Sequence, residues 1–310
     1  FLSLLTENLL DNVHINFDTG SLWILNLVLG LVMFGVALEI SVNDFKPLWL
    51  KPKALILGLV SQFILLPAVT YLLIIFIEPL PSIALGMFMV AACPGGNISN
   101  FISYLSNANT ALSVSLTAVA TLLAIVMTPL NFHFWSMLYA PSSNLIQEIS
   151  ISSVEMFKLV SMLLGLPLIL GMYVNYSYPV LAMKLAKRLK VVSLLFFICL
   201  VFIALYNNLV IFKDYIVYVF WIVLIHNLIA FSTGYSVGRL FRLPEDNVRS
   251  ITIETGIQNS GLGLLLIFTF FDGLGGMALL AAFWGIWHIV SGLFLAALWN
   301  GKSITKETIA

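Results

Sequence analysis

Apolar residues along this chain gather into long blocks instead of alternating with polar ones, unlike a half-buried strand or the narrow stripe of a soluble amphipathic helix. A helix that crosses a bilayer needs roughly 20 mostly apolar residues. Nine stretches reach that length, at about 21–41, 53–77, 82–106, 109–130, 153–175, 191–212, 215–238, 249–271 and 276–299. The pattern predicts an all-α polytopic membrane protein with nine transmembrane helices and its termini on opposite sides. The opening FLSLLTENLLDNVHINFDTG carries Glu7, Asp11 and Asp18 among scattered leucines and no basic residue. Residues 1–20 therefore read as a short interfacial segment rather than a span or a signal peptide, and Phe1 in first place leaves open a leader or tag before it. The longest connection, about 131–152, is expected to be a loop of some twenty residues, which leaves no sizeable domain outside the membrane.

Two of the blocks are interrupted. Span 3 contains Cys93-Pro94-Gly95-Gly96-Asn97-Ile98-Ser99-Asn100, and span 8 contains Glu254-Thr255-Gly256-Ile257-Gln258-Asn259-Ser260-Gly261-Leu262-Gly263. Proline and glycine together break a helix, and non-helical backbone at membrane depth survives only when buried in protein or lining a watery cavity. A kink with satisfied amides is the commoner reading of the first motif taken alone. Each interrupted span is followed by one further span, and the odd separation gives the two opposite orientations. That is an inverted repeat, and matched interruptions of this kind are the best sequence pointer to a transporter site near the midplane.

Composition agrees with the block pattern: 61% of residues are hydrophobic and 9% charged, where soluble proteins carry about a quarter charged. The 14 basic and 14 acidic residues cancel and form no basic stripe, which excludes nucleic acid as a partner. Their distribution is uneven, however. The loops after spans 1, 5 and 7 and the tail 301–310 hold 12 of the 14 Lys and Arg, while Lys158 and Lys213 fall at the opposite ends. The positive-inside rule then puts the N-terminus outside and the C-terminus in the cytoplasm, as expected of a multi-pass protein of the plasma membrane, the inner one in a bacterium. Cys93 and Cys199 sit in apolar segments without a CxxC or His-rich companion and read as small buried hydrophobes.

Glu254 is the deepest charge. A carboxylate at the bilayer centre costs roughly 2.5–3.5 kcal/mol by insertion scales, and no span offers a deep Lys or Arg to pair with it, so a bound cation or a proton is left as its partner. Ser113 and Thr117 stand four apart on one face of span 4, and Gln62 lies within span 2. Such oxygens suit hard monovalent cations, although hydroxyls at this spacing more often back-bond or pack helices. His226, Asn227 and His288 read as interior polar groups bridging helices.

With CPGGNISN at 93–100, NTALSVSLTAVATL at 109–122, IETGIQNSGLG at 253–263 and WHIVSG at 287–292 in order, the chain resembles the bile acid:sodium symporter family over essentially its whole length. It is most similar to nine-helix members, the bacterial homologues of the apical sodium-dependent bile acid transporter. The resemblance implies a core domain (53–130 and 215–300) with two crossing broken helices, spans 3 and 8, packed against a panel domain (21–45 and 153–212). It implies two co-transported sodium ions as the only cofactors. One site would use Ser99, Asn100, Ser113, Thr117 and Glu254; the other Gln62, Glu254 and Gln258 with the main-chain carbonyls of Thr255 and Ile257. Substrate, an organic anion, would approach Asn97, Asn259 and His288 at the crossing. Two positions depart from the family pattern: Asn97 stands where smaller or apolar residues are common, and Ile289 follows His288 where some bacterial members have an amide.

The expected function is a sodium-coupled symporter that imports an organic anion by alternating access, with the lipid bilayer as its surroundings and no obligatory protein partner. A cation/proton antiporter with Glu254 as proton carrier is the alternative. An intramembrane hydrolase is the remote one, since HExxH, a GxSxG elbow and a paired deep Asp are missing from the sequence. No enzymatic activity is expected.

Overall fold

A computed structural model describes residues 19–46, 52–149, 153–207 and 209–300. The predicted interfacial segment and the tail 301–310 lie almost wholly outside the described residues. Every described element is helical: α1 (Thr19–Ala37), α2 (Pro52–Ile77), α3 (Pro81–Ala92), α4 (Ile98–Leu105), α5 (Thr110–Leu138), α6 (Ala140–Ile149), α7 (Ser153–Ser177), α8 (Pro179–Asn207), α9 (Leu209–Leu240), α10 (Glu245–Gly256), α11 (Ser260–Phe270) and α12 (Gly275–Asn300). Among the described residues, four stretches are by length and composition able to cross a membrane: Pro52–Ile77, Thr110–Leu138, Tyr215–Leu240 and Gly275–Asn300. Large apolar side chains stand exposed on the outer surface, Phe76, Tyr104, Ile169, Met183 and Phe294 among them, as a lipid-facing wall requires.

Two predicted connections turn out to be helical. Most of the stretch expected to be a loop, 131–152, belongs to α5, which runs through Pro129 to Leu138, and to α6. Phe132 and Ser136 are buried there, so packing extends the helix where hydropathy alone stops. Helix α8 begins at Pro179, ahead of the predicted span at 191–212, and takes in Lys184, Lys187 and Arg188. Lys, Arg, Leu and Ala are strong helix formers, whereas hydropathy marks only the part of a helix that meets lipid.

Helix α1 packs on α7 and α8, and α3, α5, α9, α11 and α12 contribute to the largest buried cluster, while α4 and α10 pack beside it through smaller clusters around Ile102, Ile253 and Ile251; α7 lies against α5 and α1 touches α11. Spans 3 and 8 are each broken, into α3 and α4 and into α10 and α11. Helix α2 continues through its middle, but Ser61–Leu65 form one π-helical turn. The wider turn displaces successive side chains relative to an α-helix, and such bulges concentrate at functional sites.

Candidate functional site

Breaking a helix inside a bundle orphans backbone groups, each of which needs a new partner. The two breaks supply one another. Gly96 N donates to the Ile257 carbonyl at 2.9 Å and Asn259 N donates to the Pro94 carbonyl at 2.8 Å, so the extended residues of the two interruptions run antiparallel. Three more of the freed carbonyls are capped by side chains. Thr128 Oγ1 donates to Ala92 O at 2.8 Å, Asn227 Nδ2 to Gly256 O at 2.8 Å and Gln258 Nε2 to Thr255 O at 2.8 Å. Ser291 Oγ donates in turn to Asn227 Oδ1 at 2.6 Å, tying α12 to the break through α9. The close approach leaves little room for side chains at the glycines: a Cβ on Gly95 would run into the carboxylate of Glu254, and one on Gly96 would stand a tight 3.1 Å from Gln258 O.

That carboxylate is the centre of the site. Glu254 is 1% exposed. Oε2 accepts from Ser99 Oγ at 2.6 Å and from Ser113 Oγ at 3.3 Å, and Oε1 accepts from Thr117 Oγ1 at 2.8 Å. Asn100 Oδ1 lies 2.9 Å from Ser113 Oγ and 3.2 Å from Thr117 Oγ1. Ser99, Asn100, Ser113, Thr117 and Glu254, distant in sequence, thus form one oxygen-rich cluster joining α4, α5 and α10. No basic side chain pairs with Glu254 among the described residues, and none of them form a cluster of three or more His, Cys, Asp or Glu. The donor set is the hard-oxygen kind that suits alkali and alkaline-earth cations rather than transition metals.

The second predicted set is assembled only in part. Gln62 sits on the π-turn, fully buried, and neither its Oε1 nor its Nε2 has a hydrogen-bond partner; Gln258 Oε1 is likewise buried and unpartnered. Ser61 next to Gln62 reaches α10 through a 2.9 Å contact with Thr255 Oγ1. The carbonyls of Thr255 and Ile257 already accept the hydrogen bonds given above, which leaves each a second lone pair. A buried unsatisfied acceptor costs about 1–3 kcal/mol, and both amide oxygens retain full capacity to accept a donor or ligate a cation.

The three predicted substrate residues differ. Asn97 and Asn259 both flank the crossing. Asn259 Oδ1 caps α11 by accepting from Leu262 N at 3.0 Å. Asn97 occupies the equivalent position before α4 but makes no side-chain cap; its Nδ2 donates to Glu39 Oε2 at 3.3 Å. His288 is 4% exposed, its Nδ1 has no partner, and no hydrogen bond joins it to either asparagine. His226 and Asn227 do bridge helices: His226 Nε2 lies 2.7 Å from Thr70 Oγ1 of α2 and its ring is 4.8 Å from that of Trp284.

Two charged residues were not anticipated. Arg249, counted above with the basic loops, is only 3% exposed, and its guanidinium donates to the carbonyls of Ser106 at 2.9 Å and Trp299 at 3.5 Å, beside Glu245 at 3.4 Å. It gathers the ends of α4 and α12 onto the start of α10. Glu39, just beyond α1, reaches Asn97. The signal for both lay in plain sight, since each falls at the edge of a predicted span, where a charge reads equally well as loop.

An all-helical protein with membrane-spanning stretches, whose buried polar chemistry is concentrated where two broken helices meet, has the architecture of a secondary transporter. The chain belongs to the sodium bile acid symporter family: the sequence profile described as "Sodium Bile acid symporter family" matches residues 26–214. It is a transporter and not an enzyme. It is 32% identical over 295 residues, 94% of this chain and 88% of the relative, to a protein named "Uncharacterized sodium-dependent transporter YocS" from Bacillus subtilis (strain 168). It is 28% identical to the human ileal sodium/bile acid cotransporter, over 77% of this chain and 67% of that one. It is 30% identical to the mouse sodium-dependent organic anion transporter, over 88% and 72%.

Proposed function

We propose that this protein imports an organic anion by sodium-coupled symport, moving two sodium ions per substrate by alternating access. One observation carries the reading: the Glu254 carboxylate, 1% exposed, sits without a basic partner among described residues inside a shell of hydroxyl and amide oxygens. A monovalent cation at this point would be liganded by Ser99, Asn100, Ser113, Thr117 and Glu254 once the three hydroxyls turn their protons elsewhere; Thr117 already has the Ser113 carbonyl at 3.1 Å to donate to. A second cation would take Gln62, Gln258, Glu254 and the carbonyls of Thr255 and Ile257, and the unpartnered amide oxygens support this. The names of the relatives favour sodium as the ion and bile acids or other organic anions as cargo.

The anion would bind on the other side of the crossing, against Asn97 and Asn259. No deep Lys or Arg is at hand, so the acid is held by amide donors and by the partial positive charge at the N-termini of α4 and α11. His288 would contribute only if α12 moved, since it is enclosed in this state. The reciprocal bonds between the two breaks support an inverted repeat; in this reading the chain has nine spans, with the α1–α7–α8 group as panel and the rest as core, and the distribution of Lys and Arg favours an N-terminus outside and a C-terminus in the cytoplasm. Binding ions and acid on opposite faces of one crossing couples them, because each ion fixes the backbone whose other face receives the acid.

The test is uptake into sodium-free proteoliposomes. Two sodium ions with a monovalent anion carry one net positive charge inward per cycle, worth about 2.3 kcal/mol per 100 mV. An inside-negative potential should therefore raise accumulation at a fixed sodium gradient. Equal accumulation with and without the potential refutes the stoichiometry, and sodium-driven proton efflux without an anion would favour the antiporter.

A further inference from the structure

Three successive carbonyls close the end of α10, and each is held from a different direction. Thr255 O accepts from Gln258 Nε2 and Ile257 O from Gly96 N, both within the crossing itself. Gly256 O between them accepts at 2.8 Å from Asn227 Nδ2, which belongs to the unbroken helix α9 and to neither proposed ion set. Asn227 is buried. A carbonyl only accepts, so the amide nitrogen must face Gly256, and the amide oxygen is left for the hydroxyl of Ser291, 2.6 Å away on α12. Helix α9 is pressed close against α10 at this level: a Cβ on Gly256 would strike the ring of Phe231, one turn beyond Asn227, and a Cβ on Gly234 would stand 2.7 Å from Ile251 O. The other break is held differently, since Thr128 Oγ1 caps Ala92 O and no predicted ion ligand adjoins Ala92.

We propose that Asn227 is a positioning residue for the second ion, and that Ser291 makes this positioning depend on α12. The proposal rests on the reading of Thr255 O and Ile257 O as ligands of a second cation. Peptide units are planar and rigid, so holding the one that joins Gly256 to Ile257 restricts the dihedrals on both sides of it, through which the carbonyls of Thr255 and Ile257 are aimed. Gly256 is where the backbone would otherwise turn most freely. A group that orients an ion's ligands without touching the ion typically costs ten- to a hundredfold in affinity when it is lost. Ser291 Oγ also lies 3.2 Å from the carbonyl of His288, so the Asn227 amide is held by the turn of α12 that carries the enclosed histidine. A displacement of α12 that frees His288 for the anion pulls on Ser291 and, through Asn227, on the carbonyls offered to the ion. Non-additive effects of substitutions, rather than proximity, establish such a link.

The experiment uses the full-length protein in detergent and follows the thermal midpoint as sodium replaces potassium at constant ionic strength. Half-saturating sodium and the Hill slope are the readouts, and two coupled ions give the unmodified protein a slope above one. Asn227→Leu, which keeps the volume and removes the amide, should raise half-saturating sodium about tenfold and bring the slope down to about one. Ser291→Ala should raise it several-fold, whereas Ser291→Thr, which keeps the hydroxyl, should stay close to the unmodified protein. Asn227→Leu combined with Ser291→Ala should be no worse than Asn227→Leu alone, because the serine acts through the asparagine. Thr128→Val should lower the midpoint in potassium, since a buried carbonyl loses its partner, but leave the slope unchanged, which separates positioning from loss of stability. An unchanged slope in both Asn227→Leu and Ser291→Ala overturns the role of Asn227 while the two ion sites stand, and additive effects in the double variant overturn the link to α12. Should Asn227→Leu fail to fold, Ser291→Ala and its threonine control decide the matter. A slope of one, or no sodium effect, in the unmodified protein refutes the two-ion reading and this proposal with it.

Discussion

Replacing Gly95 with alanine offers a sharp test of the ion site, because the residue touches Glu254 without being an ion ligand itself. A Cβ at position 95 would sit on Oε1 of Glu254 and only 2.7 Å from its Cδ. Ordinary contact between carbon atoms needs roughly 3.5 Å, so the carboxylate must withdraw by about 0.8 Å. The hydrogen bonds from Ser99 at 2.6 Å and Thr117 at 2.8 Å cannot both survive that shift, given the usual limit of about 3.2 Å. A hydrogen bond to a charged group contributes about 1.5–3 kcal/mol. A cation that depends on the same oxygens should therefore bind roughly ten- to a hundredfold more weakly. The assay is the thermal midpoint as sodium replaces potassium at constant ionic strength, with the half-saturating sodium concentration as the readout. Gly263→Ala is the control. A Cβ there meets Cys93 Sγ at 3.4 Å, an ordinary contact, and sodium dependence should not change. Should Gly95→Ala fail to fold, Gly95→Ala with Glu254→Asp shortens the acid by one methylene and should recover the fold with sodium affinity still reduced. Sodium half-saturation within twofold of the unmodified protein in folded Gly95→Ala would refute the steric argument and the place of Glu254 at the ion site together.

Other substitutions probe the remaining links. Glu254→Gln should abolish sodium-dependent stabilisation and uptake but leave a folded protein, and in sodium-free buffer its midpoint should be no lower, since a buried charge has been removed; unchanged sodium dependence would contradict the assignment. Asn97→Ala and Asn259→Ser should each weaken anion binding in calorimetry by about tenfold, the value of one donor to a charged acceptor, with sodium affinity unaltered. Serine is chosen at 259 because it keeps a capping oxygen for α11. Arg249→Gln removes a buried guanidinium bonded to two helix ends and should lower stability by about 1.5–3 kcal/mol, whereas Arg188→Gln, at an exposed position, should stay within about 0.5 kcal/mol. Equal melting behaviour of these two variants would mean that Arg249 does not hold α4, α10 and α12 together.

What the sequence determined by itself was set by requirements that act locally. Hydropathy over windows of about twenty residues marks membrane helices, and Pro-Gly-Gly beside polar residues marks a break, because the bilayer tolerates neither an unpaired peptide group nor a long polar run. The same logic singled out Glu254, since a deep carboxylate is costly wherever it is placed, and the hydroxyls of Ser113 and Thr117 follow from a four-residue spacing. Tertiary structure decided the rest. That the break after Ala92 is closed by Thr128, and the one after Gly256 by Asn227, depends on helices far apart in the chain meeting at those carbonyls. The π-turn that carries Gln62 has no signal in composition. The helical stretches 131–149 and 179–190 were invisible to hydropathy because partly polar segments fold there on packing and propensity. Arg249 and Glu39 were legible as charges at the margins of spans, but only three-dimensional contact gives one the carbonyls of Ser106 and Trp299 and the other the amide of Asn97. A side chain's partner across a bundle is fixed by helix crossing and register, quantities that no local window of sequence contains.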